Sequence, residues 1–165
     1  MKTIGLIGGM SWESTVTYYQ LLNRMARERL GGLHSAEILM WSFDFATIEA
    51  LQAAGDWAGA TSRMTDVAQR LERGGAECLL ICTNTMHKMA DEVSAAVDIP
   101  LLHIADVTAS AIKKNGANKP LLLATRYTME QDFYTQRLRH QGVDVVIPED
   151  KDLSLIHISE PTRPY

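Results

Sequence analysis

Two thiols, a run of hydroxyls and amides, and two histidines are the side chains of this protein whose types and spacing can do chemistry. Cys78 and Cys82 stand four apart within ECLLIC, residues 77–82. If that apolar run is a strand, their Cα atoms lie about 13 Å apart at ~3.3 Å per residue. A disulfide needs less than about 7 Å, so the two cannot pair with each other. Cys78, in the middle of the run, reads as a small buried hydrophobe. Cys82 closes the run, and Thr83, Asn84, Thr85 and His87 follow at once. A thiol at a strand's carboxyl end, ahead of a helix N-terminus, has donors and a dipole to lower its pKa. His87 reads as a solvated or capping residue of the helix that follows. His103, in LLHIAD, reads equally as a ligand-orienting group or a satisfied core histidine. No Asp or Asn spacing completes a hydrolase triad. The sequence holds no CxxC, no HExxH and no ligand cluster, so no metal is expected.

Two further turns carry polar groups. Gly8-Gly9 follows the apolar run TIGLI, but Gly5, Gly8 and Gly9 do not have the GxGxxG spacing, and no GxxxxGK[ST] occurs. The pair reads as a tight strand-to-helix turn at which Ser11 can donate to a carboxylate. The segment Ala124-Thr125-Arg126-Tyr127-Thr128 follows PLLLA and again places hydroxyls and amides at the end of an apolar run. Trp12, Trp41 and Trp57 form no stripe and read as packing residues. Placed on one sheet edge, the turns GGMS, CTNT and ATRYT suit a small carboxylate-bearing molecule held around a thiol.

The elements that must position these turns alternate in period. Strands are expected at residues 3–7, 37–43 and 77–82, then at LLHIA, PLLLAT and DVVIP. Helices are expected from Ser11 or Trp12 to Leu30, from Trp57 to Arg73, over Thr85–Val97, over Val107–Lys114 and across 127–141. Asp44–Gln52 reads as a polar connecting segment. Five or six strands joined by helices predict an α/β fold with a doubly wound, mostly parallel sheet. Ligands of such sheets bind outside the carboxyl ends of the strands, where the three turns lie. The closing stretch SLIHISEPTRPY continues neither period, and two of its last five residues are prolines. It looks like a translated cloning adapter, so residues 151–165 are set aside as a non-native tail.

Composition narrows the function classes. The chain has 165 residues, 46% hydrophobic and 22% charged, with a net charge of −4. Its 16 Lys and Arg form no block, so neither nucleic acid nor an anionic membrane is an expected partner. No window approaches ~18 uninterrupted apolar residues. The opening MKTIGLIGGM has a short, glycine-broken apolar run without a cleavage site and reads as a buried strand rather than a leader. With two cysteines, the expected compartment is a reducing cytoplasm.

Taken together, GLIGGMSWEST, CTNTMHK and LLATRYTMEQDFY make residues 1 to about 150 resemble the aspartate/glutamate racemase family, most nearly its enterobacterial broad-specificity amino-acid racemases. The resemblance implies an enzyme independent of pyridoxal phosphate, metals and nucleotides, built from two similar α/β lobes with one catalytic cysteine from each. One thiolate removes the α-proton and the opposite thiol returns one to the other face. Carried over by position, Cys82 is one of the two cysteines. Met10, Ser11, Thr83, Asn84, Thr85, Thr125 and Thr128 match segments that line the substrate site, and Gln52 lies where some relatives hold the distal carboxylate. The expected lobes are residues 1–115 and an incomplete second lobe at 116–150. The resemblance also implies a homodimer.

One departure matters. The family's second cysteine lies in a GCTE-like motif, and this sequence has neither that motif nor a third cysteine. The expected function is therefore racemisation of small, acidic amino acids by family, with negligible turnover by this polypeptide. Two alternatives stand beside it. One is a one-cysteine decarboxylase or isomerase of the same superfamily, resembling arylmalonate decarboxylase or maleate isomerase. The other is a non-catalytic remnant or small-ligand binder.

Overall fold

The computed structural model describes residues 1–117 and 119–149, and the expected tail at 151–165 lies outside them. Three strands, β1 (Ile4–Gly8), β2 (Ile38–Ser42) and β3 (Cys78–Ile81), form a parallel sheet in the order β2-β1-β3. Ile7 stands between Trp41 and Ile81 in the register, so alternate residues of all three strands share a face. The helices α1 (Trp12–Leu30) and α3 (Trp57–Arg73) begin and end where their sequence signals put them. Ser11 caps α1 by accepting the Ser14 N–H, and Gly31, at φ +76°, closes it by donating to the Arg27 carbonyl at 2.8 Å.

Where structure and sequence expectation differ, the reasons are local. Residues 44–52 are not a connecting segment: α2 spans Phe45–Ala53, and the Asp44 carboxylate caps it by accepting the Ala46 N–H at 3.2 Å. The helix expected over Thr85–Val97 is a five-residue 3-10 turn (Thr85–Met89) followed by α4 (Ala90–Ala95). The 3-10 turn buries Thr85, Met86, His87 and Met89, which cover more than one helical stripe. LLHIA pairs only at Leu101, opposite Leu79. Pro100 has no N–H to extend that ladder, and from Ile104 the chain is already helical, as α5 (Ile104–Lys114). PLLLAT and DVVIP likewise meet at one bridge, Leu121 with Val146. Pro120 and Pro148 flank it without donors. The helix expected across 127–141 is divided by extended Gln131 into α6 (Arg126–Glu130) and α7 (Asp132–His140). Among the described residues the sheet thus has three strands rather than five or six.

The chain forms two compact units, Met1–His103 and a second that begins at Ile104. Their boundary falls before α5, twelve residues earlier than the division after Asn115 expected from sequence. The packing explains it: Ala105 and Ala109 of α5 join Tyr134, Leu138, Val143 and Val145 in one apolar cluster. Arg137 also grips Asp106 through Nε and Nη2, both at 2.8 Å. The first unit's core lies on one face of the sheet. There Ile7, Leu79 and Ile81 meet Met64, Val67, Ala68 and Leu71 of α3, with Ile48, Met86, Met89 and Val93 around them.

Candidate active site

Parallel pairing sets the site. Because β1 and β3 are neighbours running the same way, their carboxyl ends emerge side by side. The Cys82 N–H donates to the Ile7 carbonyl at 2.9 Å, which puts Cys82 level with the Gly8-Gly9 turn. Two of the three polar turns expected from sequence, GGMS and CTNT, are therefore neighbours in the first unit. The third, at residues 124–128, belongs to the second unit and is described within it.

The glycine turn is fixed by close packing. A Cβ on Gly8 would lie 2.5 Å from the Thr15 side chain, and one on Gly9 would lie 2.3 Å from the Phe43 nitrogen. Gly9 also has φ +84°, a region that side-chain-bearing residues rarely adopt. Thr15, buried in α1, accepts the Gly9 N–H at 3.0 Å and donates to the Ser11 carbonyl at 3.1 Å. Sequence reasoning passed over Thr15; its place one helical turn beyond Ser11 was the available signal. Met10 is buried in the core cluster. The Ser11 hydroxyl donates to Glu13 at 3.1 Å while capping α1, so in this state it is engaged locally.

The second turn is held from beneath. Thr83 is half-buried, Asn84 exposed and Thr85 buried. His87 is buried rather than solvated, and its Nδ1 sits 2.8 Å from the Thr83 carbonyl, so that nitrogen carries the proton. The ring of His103, also buried, meets His87 edge-on with centroids 4.6 Å apart. Gln52 reaches the same segment from α2, its Nε2 3.1 Å from Met86 Sδ. Gln52 thus stands beside the CTNT turn only because residues 45–53 are helical.

Cys82 itself has no exposed surface. Burial pushes its thiol up from 9.0 to about 12. The expected lowering by a helix dipole does not occur, because a five-residue 3-10 turn has little dipole to offer and desolvation outweighs it. Cys78 is half-buried and its thiol is also raised by burial. Neither cysteine is in a disulfide. At neutral pH Cys82 is therefore held as the protonated thiol.

In the second unit, Thr125 precedes α6 and its hydroxyl lies 3.1 Å from that of Thr128, which is fully buried. Those two hydroxyls form one small polar group at the start of a helix. Among the described residues no three His, Cys, Asp or Glu side chains are grouped to hold a metal, and no helix is long and apolar enough to cross a membrane.

Comparison with known proteins bears on the whole arrangement. A candidate Asp/Glu racemase from Yersinia pestis is 53% identical, with a TM-score of 0.90 over 94% of this chain and 68% of its own. An aspartate racemase homologue from Pyrococcus horikoshii OT3 is 37% identical, with a TM-score of 0.84 over 96% of this chain and 70% of its own. The broad specificity amino-acid racemase RacX of Bacillus subtilis is 24% identical over 87% of this chain, which spans only 63% of RacX. The family model for Asp/Glu/hydantoin racemases matches residues 7–163. With the parallel sheet, the glycine turn and the buried thiol between them, this chain belongs to the Asp/Glu/hydantoin racemase family.

Proposed function

We propose that this family member serves the cofactor-independent inversion of the α-carbon of small, acidic amino acids, with Cys82 as one of two proton-transferring thiols. The observation that carries the reading is the place of Cys82: buried at the carboxyl end of β3, level with a glycine turn too closely packed to admit a side chain. Inversion needs an acid and a base on opposite faces of one carbon. A thiol raised to about 12 supplies the acid, returning a proton to the carbanion. The carbanion's carboxylate needs fixed donors. Main-chain amides of the GGMS and CTNT turns are such donors, and Met10, Ser11, Thr83, Asn84 and Thr85 are the residues we assign to that half of the site. Gln52 is assigned to the distal carboxylate, and Thr125 and Thr128 to the portion supplied by the second unit.

The same geometry limits what these residues do alone. Cys78 and Cys82 are four apart on one strand and point to the same face, so they cannot flank an α-carbon. This polypeptide therefore supplies one thiol of the pair and racemises negligibly. Two unpaired thiols support a reducing, cytoplasmic setting, and the assembly we assign is a homodimer.

The test is α-proton exchange of L- and D-aspartate and glutamate in heavy water, read by NMR alongside chiral chromatography. The expected result is no inversion, with slow exchange of one enantiomer that rises with pH as Cys82 ionises and disappears in Cys82→Ala. Inversion by this chain would overturn the one-thiol limit. Exchange untouched by Cys82→Ala would overturn the role of Cys82. A second reading follows from the same single thiol: release of carbon dioxide from a 2-substituted malonate would mark a one-cysteine decarboxylase instead.

A further inference from the structure

Two peptide planes of the glycine turn are tied down by one side chain. The plane joining Gly8 to Gly9 is held through its carbonyl, which accepts the Phe43 N–H at 3.0 Å. It is held again through its amide, the Gly9 N–H, which donates to Thr15 Oγ1 at 3.0 Å. The plane that follows Ser11 is held through its carbonyl, which accepts both the Thr15 N–H and the Thr15 hydroxyl at 3.1 Å. A hydroxyl can accept one proton and donate its own, so Thr15 meets both demands at once. Between the two planes the Met10 side chain is sunk in the core, which fixes the middle of the turn.

These bonds also sort the amides of the turn. The Gly9 N–H is taken by Thr15 and is no donor for a ligand. The Met10 and Ser11 N–H groups, by contrast, donate to no acceptor among the described residues. The Ser11 hydroxyl is turned to Glu13 and to the Ser14 N–H, so what Ser11 offers is its main-chain amide. Two successive amides of fixed direction, without an acceptor in the protein, are what a carboxylate requires. The methyl of Thr15 has a separate place. Its Cγ2 packs over Gly8, where an added Cβ would meet it at 2.5 Å. The two halves of this side chain can therefore be tested apart.

We propose that Thr15 is a positioning residue of the site, its hydroxyl holding the turn so that the Met10 and Ser11 amides meet the substrate's carboxylate. The inference rests on the assignment of this turn to the carboxylate made above, and on no proton transfer by Cys82.

Titration of the isotope-labelled chain with L-aspartate tests it, with amide shifts and amide exchange read by NMR and α-proton exchange followed on the same samples. In the parent, aspartate is expected to shift and protect the Met10 and Ser11 amides and to leave the Gly9 amide, protected from the start, as it was. Thr15→Val keeps the methyl over Gly8 and removes both bonds of the hydroxyl. It is expected to bind aspartate about tenfold more weakly and to slow α-proton exchange about 100-fold. Thr15→Ser keeps the hydroxyl and loses the methyl, and is expected to stay within about threefold of the parent in both. A residue that served packing alone gives the reverse order, serine being the more damaging change, and that order overturns the proposal. So does protection of the Gly9 amide by aspartate in place of Met10 and Ser11, or a parent that binds no aspartate at the turn. A parent that binds at Met10 and Ser11 without exchanging the α-proton overturns the catalytic reading alone, and the affinities of the variants then decide the role of Thr15. Should Thr15→Val fail to fold, Thr15→Ser and Thr15→Ala, which differ only in the hydroxyl, make the same comparison, and equal affinities overturn the proposal.

Discussion

The two faces of the first unit's sheet are built to different ends. One face presents Gly5, Ile7, Leu39, Leu79 and Ile81 to α3, and Leu71, Val67 and Met64 fill the space above them. The other presents Leu6, Gly8, Met40, Cys78, Leu80 and Cys82, with α1 touching it through Thr15 at Gly8. The first is closed and dry. The second is closed at the strand ends, where Cys82 and Leu6 have no exposed surface, and open toward the sheet's edge, where Met40 is half exposed. The larger apolar cluster lies on the closed face, and the Cys82 thiol sits on the other. The proposed chemistry thus falls on a face that is not the unit's main core.

That division can be broken most directly at Leu79. It is fully buried, and its side chain lies under Gly5. Leu79→Ala leaves a cavity that a sheet clamped by α3 cannot close, at a cost of about 3 kcal/mol. Urea unfolding followed by circular dichroism measures it. A loss under about 1 kcal/mol would mean that this face is not what stabilises the unit.

A smaller effect sharpens the comparison from the thiol side. The folded chain holds the Cys82 proton up to about pH 12, whereas an unfolded chain releases it near 9.0. Below pH 9 both states are protonated and the thiol's contribution is intact. Between pH 9 and 12 the unfolded state loses its proton first, so stability falls as pH rises, by on the order of a few kcal/mol at the top of that window. Cys78 is shifted in the same direction and adds to the slope. Subtracting the unfolding curve of Cys82→Ala from that of the parent cancels the tyrosines and lysines common to both. The difference should slope downward from pH 9. Parallel curves would show that Cys82 is not desolvated in solution.

How much of this was legible depended on whether one segment or two decided the outcome. β1, α1, α3 and β3 follow from local signals, the apolar runs, the Ser11 cap and the glycine stops, and their bounds match within a residue or two. Helix α2 was misread although Phe45, Ile48 and Leu51 recur every three residues among helix-favouring alanines and Asp44 carried a cap signal. The strands expected at LLHIA, PLLLAT and DVVIP fail for a pairing reason: a short apolar run becomes a strand only if a neighbour's ladder extends along it, and the prolines at 100, 120 and 148 interrupt these. In the site, the thiol and its turn were legible as residue types at a strand end. The burial that raises the thiol was not, because it comes from packing across the sheet. Nor was the service of His87 to the Thr83 carbonyl, a contact made by a tight turn that the sequence presents as ordinary helix.

The smallest expected effect is the most informative about the second face. Met40 lies on β2 in register with Leu6, on the side of the sheet opposite α3, and is 50% exposed. Met40→Gln keeps the length of the side chain and its flexibility while adding a polar end, so for a half-exposed position the change in unfolding free energy should stay within about 0.5 kcal/mol. Urea unfolding of the variant beside the parent measures it. A cost above about 1 kcal/mol would mean that Met40 is packed as tightly as the residues under α3, and that the second face is as closed as the first.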